Sequence, residues 1–207
     1  NYAQSSWKVG INVTPSLSIP QTSLSLPSPK ERFTYSLGID ALYYYNQNIF
    51  IKSGIDYSQR SLLVAKDIPD TRFAYDPITG RIDYNKIGNI EISEIYHSVV
   101  LPIILNYRFV EAEKSSFIIS GGVELGYMFQ QKSIANSTVG GGSSESESRN
   151  KLIASLNLGL GLYQPISKNI LLIVMPKYLF DFYPSKENNN ISFHTIGLGV
   201  ELYLSLN

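Results

Sequence analysis

Apolar and polar residues alternate one for one along much of this chain. Between Phe33 and Tyr45 the odd positions are Phe33, Tyr35, Leu37, Ile39, Ala41, Tyr43 and Tyr45, and the even ones include Thr34, Ser36, Gly38 and Asp40. That period of two belongs to a strand with one apolar face, and no helix reproduces it. The pattern returns at 152–162, where Leu152, Ala154, Leu156, Leu158, Leu160 and Leu162 oppose Ser155, Asn157, Gly159 and Gly161. The closing segment repeats it, with Ile196, Leu198, Val200, Leu202, Leu204 and Leu206 against Thr195, Gly197, Gly199, Glu201, Tyr203 and Ser205. Further strands are predicted at 5–14, 49–60, 94–109, 117–129 and 170–182.

The links between these strands alternate in length. Tight links fall near Asn46-Gln47-Asn48, at 110–116 and at Ser167-Lys168-Asn169, whereas 15–32, 61–92, 130–150 and 184–191 are long and polar. About eight strands, each near the roughly 9–11 tilted residues that cross a bilayer, joined in this rhythm, predict an antiparallel up-and-down transmembrane β-barrel. Its short turns would be periplasmic and its long loops extracellular, with all 207 residues in one barrel domain.

Composition agrees once the pattern is known. A mean hydropathy of -0.03 is what results when lumen-facing and lipid-facing residues alternate, and no run approaches the roughly 18 apolar residues of a membrane helix. Seventeen basic and seventeen acidic residues cancel, which removes the electrostatic basis for nucleic-acid binding. The lack of Cys removes disulfides, thiolate nucleophiles and Cys-ligated metals. A chain that opens at Asn1 without a charged and then apolar leader is expected to have been separated from any signal peptide.

Aromatic residues gather at strand ends, as at membrane interfaces. Trp7, Tyr43, Tyr45, Tyr107, Phe109, Phe117 and Tyr203 are expected in the periplasmic belt; Phe33, Tyr35, Tyr57, Tyr127, Phe129, Phe180, Phe182 and Phe193 in the outer one. Glycines recur mid-strand on inward positions, giving a narrow barrel room and curvature. Pro102 removes a ladder donor in a wall without edges, so a bulge is expected there.

The segment 95–109, IYHSVVLPIILNYRF, places an aromatic, a proline, an aliphatic run and a Tyr-x-Phe ending in sequence. It resembles the signature strand of the PorT-like outer membrane β-barrel family. The stretches GGVELGY (121–127), LGLGLY (158–163) and GLGVELY (197–203) are similar to later strands of that family, so the resemblance spans nearly the whole chain. It implies residence in the outer membrane of a Gram-negative bacterium and a role that, for some members, lies in secretion or envelope complexes. No catalytic residue carries over from it.

Inward parity gathers Lys8, Asp40, Lys52, Asp56, Arg60, Glu94, Arg108, Glu124, Lys177 and Glu201, five of each sign. In a barrel only wide enough for its own side chains these should pair into a sealed core, with Lys8–Glu201, Asp40–Lys52 and Arg60–Glu94 as expected neighbours. Both histidines adjoin serines, but His97 and Ser98 are consecutive in a strand and point to opposite faces, while His194 has outward parity. Neither forms a nucleophile–base pair, no cluster has metal-ligand spacing, and no cofactor is implied. GGGSSESES (140–148) lacks the Lys and helix of a phosphate loop and is expected to be flexible.

Two loops depart from ordinary polar composition. Residues 15–29, PSLSIPQTSLSLPSP, carry no charge and offer Leu17, Ile19, Leu24 and Leu26 between prolines. Residues 61–92 contain Phe73, Tyr75 and Tyr84, and their flanks could prolong the third and fourth strands as a hairpin. These apolar loops are the expected docking surface for other outer-membrane or surface proteins. The sequence thus predicts an integral outer-membrane protein bathed in lipid, non-enzymatic, serving as scaffold or accessory subunit. A small-solute channel and a lipid-modifying enzyme are the alternatives.

Overall fold

The computed structural model describes residues 7–22, 30–69, 86–111, 115–137, 143–147, 151–181 and 191–206. Its strands are β1 (Trp7–Thr22), β2 (Arg32–Tyr44), β3 (Ile49–Pro69), β4 (Lys86–Glu111), β5 (Ser116–Ser137), β6 (Ser143–Glu147), β7 (Lys151–Pro165), β8 (Ile170–Asp181) and β9 (Ile191–Ser205). All pairings are antiparallel, and β1 closes onto β9 from Lys8↔Ser205 to Thr22↔Ile191. Eight strands therefore form a closed up-and-down barrel, and the short β6 adds to the outer end of β5.

Local chemistry sets the tight turns at one end. Between β2 and β3, Asn46 Oδ1 accepts the amides of Asn48 and Ile49 at 2.8 and 2.7 Å. Between β7 and β8, Ser167 Oγ accepts those of Asn169 and Ile170 at 3.3 and 3.2 Å. Short polar side chains that bond their own backbone in this way reverse a chain without help from the core.

Parity then decides what faces outward. Ile39 is 64% exposed, Ile55 65%, Leu105 53%, Leu160 56% and Leu204 55%, each on a different strand. A continuous apolar band of this kind exceeds the few hundred Å² that a soluble monomer leaves in water, and it is the lipid face of a bilayer-spanning barrel. Every backbone group must be bonded internally in lipid, and closure of β1 on β9 leaves no edge in the wall. The chain is an integral outer-membrane barrel.

Several expectations change. Residues 15–22 are not loop: β1 runs through Pro15 to Thr22, so Leu17 and Ile19 are wall residues. Residues 143–147 of the expected flexible run form β6. Leu24, Leu26, Phe73, Tyr75, Tyr84 and Phe182 lie outside the described residues. The prolonged β3–β4 hairpin is present, paired from Ile49↔Tyr107 out to Pro69↔Lys86.

No bulge occurs at Pro102. Beside each of Pro15, Pro102 and Pro176, one flanking ladder drops two successive pairs and resumes in unchanged register. The gaps run from Val13↔Val200 to Ser16↔Gly197, from Ser53↔Ile103 to Asp56↔Val100, and from Gly159↔Lys177 to Leu162↔Val174. A proline lacks the N–H its neighbour would accept, and this wall responds by interruption. The register shifts between β4 and β5 lie at His97/Ser98 and Phe109/Glu111 instead.

Candidate functional site

The lumen is layered. Nearest the short turns it is apolar: Leu42, Phe50, Ile118, Leu171, Ile173, Met175, Tyr163 and Tyr203 point inward and form one buried cluster. Tyr44 stacks on Phe50 at 5.1 Å between ring centroids, and Phe50 tilts against Tyr163 at 5.9 Å. The Tyr44 and Tyr163 hydroxyls meet at 3.2 Å, tying β2 to β7 on the opposite side of the barrel. Two cations lie against this cluster, Lys8 Nζ 5.9 Å from the Tyr44 ring and the Arg108 guanidinium 5.2 Å from that of Tyr163. Tyr203, expected in the periplasmic belt, is fully buried here; its inward parity places it, whereas Trp7, Tyr43, Tyr45, Tyr107 and Phe117 do lie outward and exposed.

Above this layer the charges begin. Glu201 Oε1 accepts from Lys52 Nζ at 2.8 Å and Lys177 Nζ at 2.7 Å, and Lys52 also lies 3.6 Å from Asp40. Tyr203 donates to Glu201 Oε2 at 2.8 Å, and Asn12 Nδ2 bridges Asp40 Oδ2 and Asp56 Oδ1 at 2.7 and 2.8 Å. Of the three expected pairs, Asp40–Lys52 is formed. Lys8 instead donates to Ser205 Oγ at 2.6 Å, and Arg60 does not reach Glu94, which accepts from Tyr96. Arg60 Nη1 spans the lumen to Asp181, 2.6 and 2.5 Å from its two carboxylate oxygens, and Ser155 donates to the same carboxylate at 2.6 Å.

Glycine makes room for these groups. Across the β2–β3 ladder Gly38 faces Asp56 and Gly54 faces Asp40. A Cβ at Gly38 would stand 1.7 Å from Asp56 Oδ1, and one at Gly54 2.3 Å from Asp40 Oδ1. Each carboxylate lies down over the glycine of the neighbouring strand, and any larger residue would displace it.

On the extracellular side of the charge layer is a chamber of about 30 Å³, room for roughly two waters. Asp56, Glu124, Arg60 and Lys177 line it together with the Ser or Thr residues Thr14, Ser16, Thr34, Ser36, Ser58 and Thr195. Glu124 accepts from Asn157 Nδ2 at 2.5 Å. The sequence reading missed Asp181, Asn12, Asn157 and Tyr203, all of which share the inward parity of residues it did single out.

Both histidines face outward. Tyr57 and His97 Nδ1 are 2.6 Å apart, and Tyr178 bonds His194 Nδ1 in the same way on β8–β9. Ser98 points into the wall, donating to the Ser58 carbonyl at 3.3 Å. His97 packs beside Phe129 and His194 beside Phe180, in the outer aromatic belt.

Closed pairing, a lipid-facing band and a filled lumen together define the class: an eight-stranded outer-membrane β-barrel. No family model matches the chain, and no curated protein matches it. Solved structures with similar folds include Neisserial surface protein A, at 13% identity over 99% of both chains with a TM-score of 0.47. Others are OprG from Pseudomonas aeruginosa, at 10% identity over 96% of both chains and TM-score 0.44, and the outer membrane protease OmpT from Escherichia coli, at 9% identity over 100% of this chain and 98% of that one, TM-score 0.46. The class assignment rests on the strand pairing and the lipid face, not on these likenesses.

Proposed function

We propose that this barrel is a non-enzymatic scaffold or accessory subunit of an outer-membrane complex, the kind of role that the PorT-like resemblance implies. The observation that carries this reading is the uneven height of the wall. β3, β4 and β5 run for 21, 26 and 22 residues, against 12 to 16 for the other barrel strands. Since about 9–11 residues cross the bilayer, these three strands continue outside as a paired sheet. β6 pairs only with β5 among the described strands, which leaves that sheet with an edge of backbone donors and acceptors for another protein. Leu24, Leu26, Phe73, Tyr75 and Tyr84 belong to the connections after β1 and β3 and remain candidate contacts, while Leu17 and Ile19 move from the docking surface to the wall.

The lumen supports the same reading. Its apolar layer and ion pairs occupy the path that a solute would need, and the two histidines are engaged by tyrosines on the lipid side, away from the serines that a hydrolase would require. The test is affinity purification of the tagged protein from native membranes, beside a variant in which 64–91 is replaced by a short turn. The variant is expected to keep its heat-modifiable gel mobility and to lose the co-purifying proteins. An unchanged set of co-purifying proteins would remove the sheet from the docking role.

A further inference from the structure

The register shift at His97/Ser98 re-aims the outer end of β5. Ser98 pairs with Met128 and His97 with Gln130, so Phe129 is an extra residue on β5. Up to that point the odd positions Val123, Leu125, Tyr127 and Phe129 are exposed on the lipid side. Beyond it the parity is reversed: Gln130 is exposed and Gln131 buried, and Lys132 falls on the side of Gln130. Uninterrupted alternation would have turned Gln130 and Lys132 inward. Bulges that re-aim a side chain in this way recur beside functional sites.

The re-aimed residue completes a polar row on the outer face. Gln59 on β3 pairs with His97 on β4, and His97 with Gln130 on β5. His97 lies ten residues along β4 from Tyr107 of the periplasmic belt, with exposed Val99, Leu101, Ile103 and Leu105 between them. That length of tilted strand rises roughly 25 Å, the height of a barrel's apolar band, so the row stands at its upper rim. Tyr57 and His97 Nδ1, 2.6 Å apart, fix the imidazole and leave Nε2 as its remaining polar atom. The ring of Phe129 lies 6.3 Å from that of His97 and 6.5 Å from that of Tyr57. The second histidine supplies a contrast within the same belt. His194 is bonded by Tyr178, yet its neighbours across the two ladders are Ile19 and Phe180, apolar on both sides.

We infer that the Gln59–His97–Gln130 row is a binding site for the saccharide headgroup of an outer-leaflet glycolipid, whose acyl chains lie on Val99, Leu101 and Ile103 below it. A sugar hydroxyl both donates and accepts, and so do a glutamine amide and an imidazole. The rings of Tyr57 and Phe129 add apolar surface with a hydroxyl at one end, which suits a sugar's C–H face and its polar edge. Phosphate recognition would call for clustered cations, whereas Lys132 on the next rung is faced across the β5–β6 ladder by Glu147. Continuity with the lipid face selects a membrane glycolipid as the occupant, since its tails cover the exposed apolar side chains directly beneath the row.

The experiment uses the whole barrel in a sugar-free detergent, with lipid retention read by native mass spectrometry. The probes are short-core lipopolysaccharide, the same lipopolysaccharide stripped of its phosphates, and phosphatidylglycerol. One lipopolysaccharide per barrel is expected to be retained at a concentration at least tenfold below that needed for phosphatidylglycerol, with or without its phosphates. Q59L/Q130L should weaken that retention at least tenfold, and Q130A serves if the double variant does not fold. H194L, on the apolar row, should retain lipopolysaccharide as the parent does. Absence of retained lipopolysaccharide, equal retention of phosphatidylglycerol, loss of retention on removal of the phosphates, or retention unchanged in the glutamine variants would each overturn the inference. A loss in H194L equal to that in Q59L/Q130L would overturn it as well.

Discussion

Arg60 on β3 and Asp181 on β8 clasp one another across the full width of the barrel, strands four places apart whichever way round the wall they are counted. Both side chains are at least nine-tenths buried. Removing one partner leaves the other charged in a dry interior, so Arg60→Ala or Asp181→Ala should each cost about 3–5 kcal/mol. Replacing both, as Arg60→Met with Asp181→Leu, should cost less than either single change. Denaturant unfolding in detergent followed by gel mobility measures all three. Additive losses would mean that the pair does not act as a unit.

The facing of the wall is tested at two consecutive residues. Leu158 is 44% exposed on the lipid face and Asn157 2% exposed in the lumen. Leu158→Arg should cost about 2–4 kcal/mol of folding stability in lipid vesicles. Asn157→Ala should instead destabilise by leaving Glu124 without its amide, and adding lipid of a different thickness should change the first penalty but not the second.

Glycine substitutions separate seat from filler. Gly38→Ala pushes a methyl group against the Asp56 carboxylate, with Asn12 Nδ2 also within 2.8 Å, and should destabilise by at least the roughly 1–3 kcal/mol usual for overpacking. Gly121→Ala meets nothing closer than 3.7 Å, the Leu158 side chain, and should unfold close to the parent. Urea midpoints of the two variants, compared side by side, decide the matter.

Conductance probes the apolar layer. Reconstituted in planar bilayers, the parent barrel should show no regular channel events, since Phe50 and Tyr163 close the turn end. Phe50→Ala combined with Tyr163→Ala opens that layer and should admit small ions at a rate the parent does not. Uniform channels in the parent itself would contradict a closed lumen.

What the chain's pattern revealed, and what it hid, follows from what a period of two can encode. It assigns a face to every residue of a regular strand, so Phe33 to Tyr45 and Leu152 to Leu162 read correctly, as did the β3–β4 hairpin beyond the membrane. It does not say which inward residue meets which. Arg60 was expected beside Glu94, its neighbour across one hairpin, yet long side chains in a narrow barrel reach the far wall and Asp181 was waiting there. The apolar layer was illegible for another reason: β8 reads Leu171, Leu172, Ile173, Val174, Met175, apolar on both faces, so alternation vanishes where the lumen is filled. Pro15 had the opposite effect, marking as loop a strand that tolerates it through a gap in one ladder.

The join between first and last strands also governs how the molecule comes into being. Every other barrel pairing links strands adjacent in sequence or separated only by the β6 excursion, and can form soon after its two segments exist. The β1–β9 pairing must wait until β9 has been made, and it bears the largest loop-closure cost of the strand pairings among the described residues. Until it forms, β1 and β9 present bare hydrogen-bonding edges that hydrocarbon will not accommodate. Insertion and sealing are therefore a single late event, and the seam that is interrupted beside Pro15 is where a half-made barrel must stay shielded from lipid until β9 is in place.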